Sequence, residues 1–132
     1  MNIYYETPVF ADRSEAWYAH NLKEILATGI DHIYLMTYQR QIKKEMKLTE
    51  AKTRELFQKI VKAAYDVCGE KLIVKLQLRD WDTGERVPVE EIREYLKLIP
   101  AGVKRICFTP VKVGDYDYLT SILLVPPAGR FL

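Results

Sequence analysis

Long apolar runs, cysteine pairs and an export signal are missing from this sequence. No apolar segment approaches the ~20 residues that a membrane span requires. The N-terminus has neither the basic region nor the apolar core of a signal peptide, so as written the chain is expected to be cytoplasmic. A chain excised from an exported parent would instead be periplasmic or extracellular. Cys68 and Cys107 lie far apart, which predicts buried free thiols and excludes a disulfide framework.

Several functional signatures are also missing. The net charge is only +2 without an evident basic cluster, which argues against a nucleic-acid partner. His20 and His32 have no neighbours at metal-ligand spacing, so we expect no metal. No phosphate-binding loop, dinucleotide glycine pattern or nucleophile elbow occurs, and no cofactor is expected. There is no linker or repeat, and 48% of the residues are hydrophobic, which predicts one folded domain over residues 1–132.

Apolar strand patterns alternate strictly with helical patterns. Predicted strands cover residues 3–9, 32–38, 72–78 and 105–109, and predicted helices cover about 14–28, 49–68, 88–99 and 116–124. Such alternation predicts an α/β fold with a parallel sheet and right-handed crossovers. The basic run from Arg40 to Lys47 is predicted to be a solvated loop and helix start.

Four parallel strands make up half of a (β/α)8 barrel, whose complete form needs about 250 residues. The predicted fold is therefore a parallel (βα)4 half barrel. Such a half has two open edges, so three alternatives remain: a piece of a longer protein, a half barrel that pairs with itself, or a small open α/β sandwich.

The most informative segment is Leu76-Gln77-Leu78-Arg79-Asp80-Trp81-Asp82. An apolar strand ends here in a tryptophan between two acids, at the strand end where parallel α/β folds bind ligands. A flat indole beside carboxylates suits a sugar ring and its hydroxyl groups. The alternative interpretation is a tryptophan that covers the end of the barrel, with Asp82 starting a turn.

Several separated blocks of sequence resemble one known family. They are Asn2-Ile3-Tyr4, Pro8-Val9, Ser14-Glu15-Ala16-Trp17-Tyr18-Ala19 with Asn21, Leu35-Met36-Thr37-Tyr38, Leu76-Gln77, Asp80-Trp81, Pro88 and Gly102-Val103-Lys104. In this order they resemble the C-terminal glycoside-hydrolase-like (GHL13-type) domain of PgaB/HmsF-type poly-β-1,6-N-acetylglucosamine deacetylases. The resemblance covers most of residues 2–110 and only the last four βα units of that domain.

The resemblance implies a barrel that binds partly deacetylated glucosamine polymer of biofilms. The acids credited with glycoside cleavage lie on earlier strands, outside the match, so we do not predict hydrolysis by this chain alone. Two departures place a cation near the cleft: Arg40 follows Tyr38, and Lys112 follows Phe108-Thr109-Pro110 where the family tends to have acids.

Each candidate site residue ends or follows a predicted strand. Catalytic residues cannot be assigned, and the weak candidates are Glu6 and Asp80, because glycosidases need two carboxyl groups facing one bond. The predicted substrate-binding residues are Trp17, Tyr38, Trp81, Asp82 and Phe108. For each, a structural role in packing or in a surface salt bridge is the alternative.

Two functional hypotheses follow for the chain, and both involve a β-linked glucosamine/N-acetylglucosamine polysaccharide. The chain is either part of a barrel that, when complete, cleaves or binds this polymer, or a non-catalytic carbohydrate-binding or assembly module. The expected protein partner is a second copy, in a homodimer, or the missing N-terminal half of the barrel.

Overall fold

A four-stranded parallel sheet organises the chain in a computed structural model that describes residues 2–3 and 21–123. The strands lie in sequence order, and all three neighbouring pairs are parallel. They are β1 (Asn2–Ile3), β2 (Ile33–Met36), β3 (Leu72–Gln77) and β4 (Arg105–Thr109). The predicted parallel α/β architecture is confirmed at this level.

Five α-helices connect and follow these strands in the described part of the chain. They are α1 (Leu22–Ala27), α2 (Gln39–Glu45), α3 (Glu50–Cys68), α4 (Val89–Leu98) and α5 (Tyr116–Leu123). A short 3₁₀ turn, Gly69–Lys71, leads from α3 into β3. Residues 4–20, which include most of the predicted first strand and the start of the predicted first helix, lie outside the described residues. Residue 124, the predicted end of the fourth helix, also lies outside them.

The boundaries of α3 follow from local chemistry. The side chain of Thr49 accepts a hydrogen bond from the backbone N–H of Lys52 at 3.2 Å, which satisfies one of the free donors at the helix start. Gly69 ends the helix with a φ of 56°, a left-handed conformation that costs glycine little. These boundaries agree with the prediction to within a residue.

Helix α2 corrects the prediction for the basic run. Residues 40–47 were expected to form a solvated loop and helix start, but a separate helix already covers Gln39–Glu45. The segment has few apolar residues, so hydrophobic periodicity does not mark it. Contacts with the end of β3 hold it instead: Gln39 is only 1% exposed, and the Nε2 group of its side chain donates to the carbonyl of Gln77 at 2.8 Å.

One face of the sheet carries the main apolar core. Leu72, Val74 and Leu76 on β3 are fully buried there, because alternate strand residues point to the same face. Phe57 of α3 and Tyr95 of α4 meet edge to face in this core, with ring centroids 5.0 Å apart. Buried residues of α1, α3, α4 and α5 all belong to this cluster, so these four helices pack on one side of the sheet.

The other face of the sheet has a different composition. Lys75 alternates with the core residues of β3, and its ammonium lies 5.8 Å from the centre of the Tyr34 ring. Ile73 is buried but does not belong to the apolar cluster beneath the helices. Cys107 on β4 pairs in register with Lys75 and is half-buried. This face therefore combines apolar and charged groups.

Candidate functional site

The carboxyl ends of β2 and β3 are joined by two glutamine side chains. Gln39 donates from Nε2 to the carbonyl of Gln77, and its Oε1 accepts from the Gln77 backbone N–H at 3.0 Å. Gln77 in turn accepts from the backbone N–H of Gln41 at 3.2 Å and donates to the carbonyl of Arg79 at 2.7 Å. Both side chains are buried with their hydrogen-bonding groups used, which fixes the two strand ends relative to each other.

Trp81 lies above this junction in contact with Tyr38. The two ring centroids are 4.8 Å apart and the ring planes are inclined at 63°, a favourable edge-to-face geometry. Tyr38 is 8% exposed, whereas Trp81 is 49% exposed. A buried ring therefore supports an aromatic residue that still offers half of its surface to a ligand.

Asp80 organises the turn that carries Trp81. Its Oδ1 accepts from the backbone N–H groups of Asp82 at 2.9 Å and Thr83 at 3.3 Å. The Asp80 carbonyl accepts from Gly84, whose φ of 74° closes the turn. The hydrogen bond from the Asp82 N–H is the main cause of a lowered pKa of Asp80, assisted by Thr83 and Arg40. These contacts favour the ionised form of Asp80, whereas a proton-donating acid needs a raised pKa; a catalytic role for Asp80 stays a prediction.

Arg40 connects this turn to α4. Its Nε and one terminal nitrogen donate to the two carboxylate oxygens of Glu91 at 3.1 and 2.8 Å, and its other terminal nitrogen donates to Asp80 at 3.1 Å. The hydrogen bond with Glu91 is the largest cause of a raised pKa of Arg40. The planar guanidinium satisfies both acids at once, a geometry that the ammonium of a lysine cannot reproduce. The cation expected in the cleft is therefore neutralised by two neighbouring acids.

A pocket of about 230 Å³ lies beside Trp81. It is lined by Arg40, Gln41, Lys44, Glu45, Gln77, Asp80, Trp81 and Asp82. Lys44 donates to both carboxylate oxygens of Asp82 at 2.5 and 2.6 Å, and this hydrogen bonding raises the pKa of Lys44. The pocket thus combines one aromatic surface with donors and acceptors on α2 and on the β3 turn.

The loop after β4 is tied to the segment after β3. Asp115 is 1% exposed, and its Oδ1 accepts from Arg79 at 2.5 Å and from Arg86 at 3.0 Å. Its Oδ2 accepts from the backbone N–H of Lys112 at 2.8 Å, the largest cause of a lowered pKa of Asp115. This second ionic cluster lies beside the Trp81 turn and orders a neighbouring loop.

The structure brings together four of the sequence-predicted residues, namely Tyr38, Asp80, Trp81 and Asp82. Phe108 pairs in register with Leu76 and packs against the helix-covered core; its role in ligand binding stays a prediction. Trp17 and Glu6 lie outside the described residues.

Sequence reasoning missed the contacts of Gln39, Lys44 and Glu91. The sequence identified Arg40 only as an unexpected cation. Its position was a usable signal, because Arg40 follows one strand end and acidic residues follow the end of the neighbouring strand. Glu91 lies on a predicted helix, so no local pattern pointed to the site.

Within residues 2–3 and 21–123, no three His, Cys, Asp or Glu side chains are grouped to hold a metal ion. None of the helices in these same ranges is both long and apolar enough to cross a bilayer.

Comparison with known proteins agrees with this geometry. The family described as "Hypothetical glycosyl hydrolase family 13" matches residues 1–109. The solved structure of the PgaB (BpsB) glycoside hydrolase domain from Bordetella bronchiseptica is similar, with a TM-score of 0.66 and 26% identity. The similarity covers 92% of this chain and 34% of that one, so the chain spans about a third of the solved domain. No curated protein matches the sequence significantly.

The parallel α/β fold and these matches define a glycoside-hydrolase-like protein. More particularly, the chain belongs to the family described as hypothetical glycosyl hydrolase family 13, in a domain of the PgaB type.

Proposed function

We propose that this chain binds a β-linked glucosamine/N-acetylglucosamine polysaccharide in a cleft centred on Trp81. The observation that carries the proposal is the half-exposed indole, which Tyr38 supports from below and which opens on a polar pocket. An aromatic face packs against the apolar face of a sugar ring, while carboxylate, amide and ammonium groups bind its hydroxyl or amine substituents. The solved relative is a glycoside hydrolase domain, which supports a glycan as the ligand of this chain.

The residues have distinct roles in this proposal. Trp81 is the platform for a sugar ring, and Tyr38 orients it. Asp82 is 60% exposed, so its carboxylate accepts hydrogen bonds from a sugar after partial release from Lys44. Asp80 is held ionised by its own turn and shapes the platform without donating a proton. Trp17, Glu6 and Phe108 remain predicted contributors at the same end of the sheet.

The same contacts favour a second candidate, a carbohydrate-binding or assembly module without catalysis. Glycosidases use two carboxyl groups on opposite sides of the scissile bond, one of them with a raised pKa. Asp80 does not suit the acid role, because two backbone N–H groups and Arg40 favour its ionised form, which leaves it only the role of base or nucleophile. Incubating the polymer with the chain and assaying for new reducing ends separates the two functions: product formation supports the enzyme, and binding without product supports the module.

We further propose that the chain, as one domain over residues 1–132, is a parallel (βα)4 half of a (β/α)8 barrel. Helices α1, α3, α4 and α5 lie on one side of the sheet, and the chain corresponds to about a third of the solved domain. The opposite face and the edge of β4 would then meet either a second copy of this chain or a separate N-terminal half.

Molecular mass in solution tests the self-pairing form of this proposal. A homodimer is expected by light scattering, and a strict monomer at high concentration would contradict it. Cys107→Asp places a charge on the face away from the helices at a half-buried position, and we expect it to favour the monomer. Lys59→Asp, on an exposed helix position, is the matched control and should leave the mass unchanged.

Calorimetric titration with β-1,6-linked glucosamine/N-acetylglucosamine oligosaccharides tests the cleft. Trp81→Ala should weaken binding by about tenfold or more, because it removes the stacking surface. Tyr116→Ala removes another exposed aromatic residue, 79% exposed on α5, and should leave the affinity unchanged. No binding to the wild-type chain at millimolar ligand, or equal losses in both variants, would contradict the proposal.

A further inference from the structure

A second cavity lies beyond the Arg40–Asp80 ion pair. Its volume is about 480 Å³, and it opens between α2, the start of α3 and α4. It is lined by Arg40, Lys43, Lys44, Lys47, Leu48, Glu50, Asp80 and Glu91. Arg40, Lys44 and Asp80 also line the pocket beside Trp81, so the two cavities share a wall.

The lining of this second cavity is almost entirely hydrogen-bonding. Among the described residues that line it, Leu48 is the one apolar side chain, and the other seven are charged. An apolar ligand would leave these groups without partners, whereas a ligand rich in hydroxyl and carbonyl groups would provide them. The cavity is therefore suited to a polar ligand, and it adjoins the Trp81 pocket.

Lys47 has an unusual backbone conformation at this cavity. Its φ is 53°, and among the described residues it is the one non-glycine with a positive φ. Lys47 follows the C-terminal end of α2. Its backbone N–H donates to the carbonyl of Lys44 at 3.2 Å, and the backbone N–H of Leu48 donates to the carbonyl of Lys43 at 3.0 Å. This is the Schellman arrangement, in which glycine is the favoured residue. A lysine there accepts backbone strain, which points to a use for its side chain.

The other cations that line the cavity are already paired. Arg40 binds Asp80 and Glu91, Lys43 binds Glu50, and Lys44 binds Asp82. Within residues 2–3 and 21–123, no carboxylate forms an ion pair with Lys47. Its ammonium, which has three donor hydrogens, is therefore the lining group available to a ligand oxygen.

We infer that this cavity is an outer subsite that takes the sugar unit next to the one stacked on Trp81, with Lys47 donating to a hydroxyl or acetamide oxygen. The inference rests on the proposed function, because it requires a glycan chain in the Trp81 pocket. It adds a location between α2, α3 and α4, and a binding residue, Lys47, in the turn that joins α2 to α3, away from the indole.

Lys47→Gly provides a test that does not depend on a destabilised protein. It removes the side chain and supplies the residue that the left-handed position favours, so the variant should be at least as stable as the wild type. We expect its affinity for a glucosamine monosaccharide, which fills only the Trp81 pocket, to be unchanged and its affinity for a β-1,6-linked octasaccharide to fall about fivefold. Lys47→Arg should restore most of the loss, because it retains a charged donor.

The controls separate this inference from the proposed function. Lys59→Ala removes an exposed lysine on α3 and should leave both affinities unchanged. If the wild type binds neither the monosaccharide nor the octasaccharide, the proposed function and the inference both fail. If the wild type binds and Lys47→Gly binds the octasaccharide equally well, or if Lys59→Ala weakens it equally, the inference alone is overturned. Competition by inorganic phosphate as strong as that by the monosaccharide would also overturn it, because the cavity would then be a general anion site.

Discussion

Strand β3 and the turn that follows it have opposite physical character. Leu72, Val74 and Leu76 have no exposed surface and pack against the helices, where each buried side chain contributes about 1.5–3 kcal/mol. A few residues further on, Asp80 and Trp81 are held by hydrogen bonds, an ion pair and one ring contact. The first region is stabilised by area removed from water, and the second is positioned by directional contacts with distant segments.

This difference shows how the molecule separates stability from ligand binding. The apolar core tolerates no polar change, but it offers nothing to a sugar. The carboxyl end has few apolar contacts, so its geometry depends on particular partners such as Arg40 and Gln77. Changes in the core should alter stability, whereas changes at the carboxyl end should alter the order of the site.

Phe57→Ala should have the largest effect on stability. The side chain is fully buried and meets Tyr95 edge to face, so its removal leaves a cavity at the centre of the helix layer. The expected loss in the free energy of unfolding is about 3–5 kcal/mol, measured by urea denaturation. Lys59→Ala on the same helix should change it by less than about 0.5 kcal/mol. Equal effects of the two would break the distinction between core and surface.

Asp115→Asn should have the next largest effect, with a characteristic pH dependence. Folding lowers the pKa of Asp115 below its ordinary value of 3.8. The ionised carboxylate therefore contributes its full stabilisation above pH 3.8, and this contribution is lost as the pH falls through the lower pKa of the folded state. The variant should be less stable at neutral pH, because Arg79 and Arg86 lose their carboxylate partner. Urea midpoints should converge with the wild type in acid, and a constant difference at all pH values would contradict this account.

Arg40→Lys should change the order of the site more than the stability. Lysine keeps the charge but cannot bind Asp80 and both oxygens of Glu91 together. The ion pairs are partly exposed, so the expected cost in unfolding free energy is below about 1 kcal/mol. In a Trp17→Phe background, acrylamide should quench Trp81 more strongly in this variant. Unchanged quenching would show that the turn holds Trp81 without Arg40.

The two cysteines should show the smallest effect, a difference in labelling rate without a change in fold. Cys68 is 6% exposed beneath the helices, and burial raises the pKa of its thiol to about 11. Little thiolate therefore forms at neutral pH. Cys107 lies on the other face and is half-buried, so iodoacetamide should label it first, as located by peptide mass spectrometry. Faster labelling of Cys68 would contradict the assignment of the two faces.

Much of the fold could be predicted because it depends on local periodicity. The stripe of Ile92, Tyr95, Leu96 and Ile99 predicted α4, and all four residues are buried. Alternation of strands and helices likewise predicted the parallel order of the sheet.

The site could be predicted only in part. The residues after β3 were visible because a tryptophan between two acids breaks an apolar run. Helix α2 and the ion pairs of Arg40 were not visible, since Arg40 lies 40 residues from Asp80 and 51 residues from Glu91 in sequence. No local pattern encodes an ion pair across that separation, so only the folded sheet brings those charges together.

The central claim is that a glycan contacts the indole of Trp81, and one measurement addresses it directly. The sequence has two tryptophans, so Trp17→Phe leaves the indole N–H of Trp81 as the single such signal in a ¹⁵N-correlated NMR spectrum. Titration with β-1,6-linked glucosamine/N-acetylglucosamine oligosaccharides should shift that signal in a saturable way, at the concentrations where calorimetry detects binding. A signal that stays in place while calorimetry reports binding would show that the ligand binds elsewhere and would contradict the account.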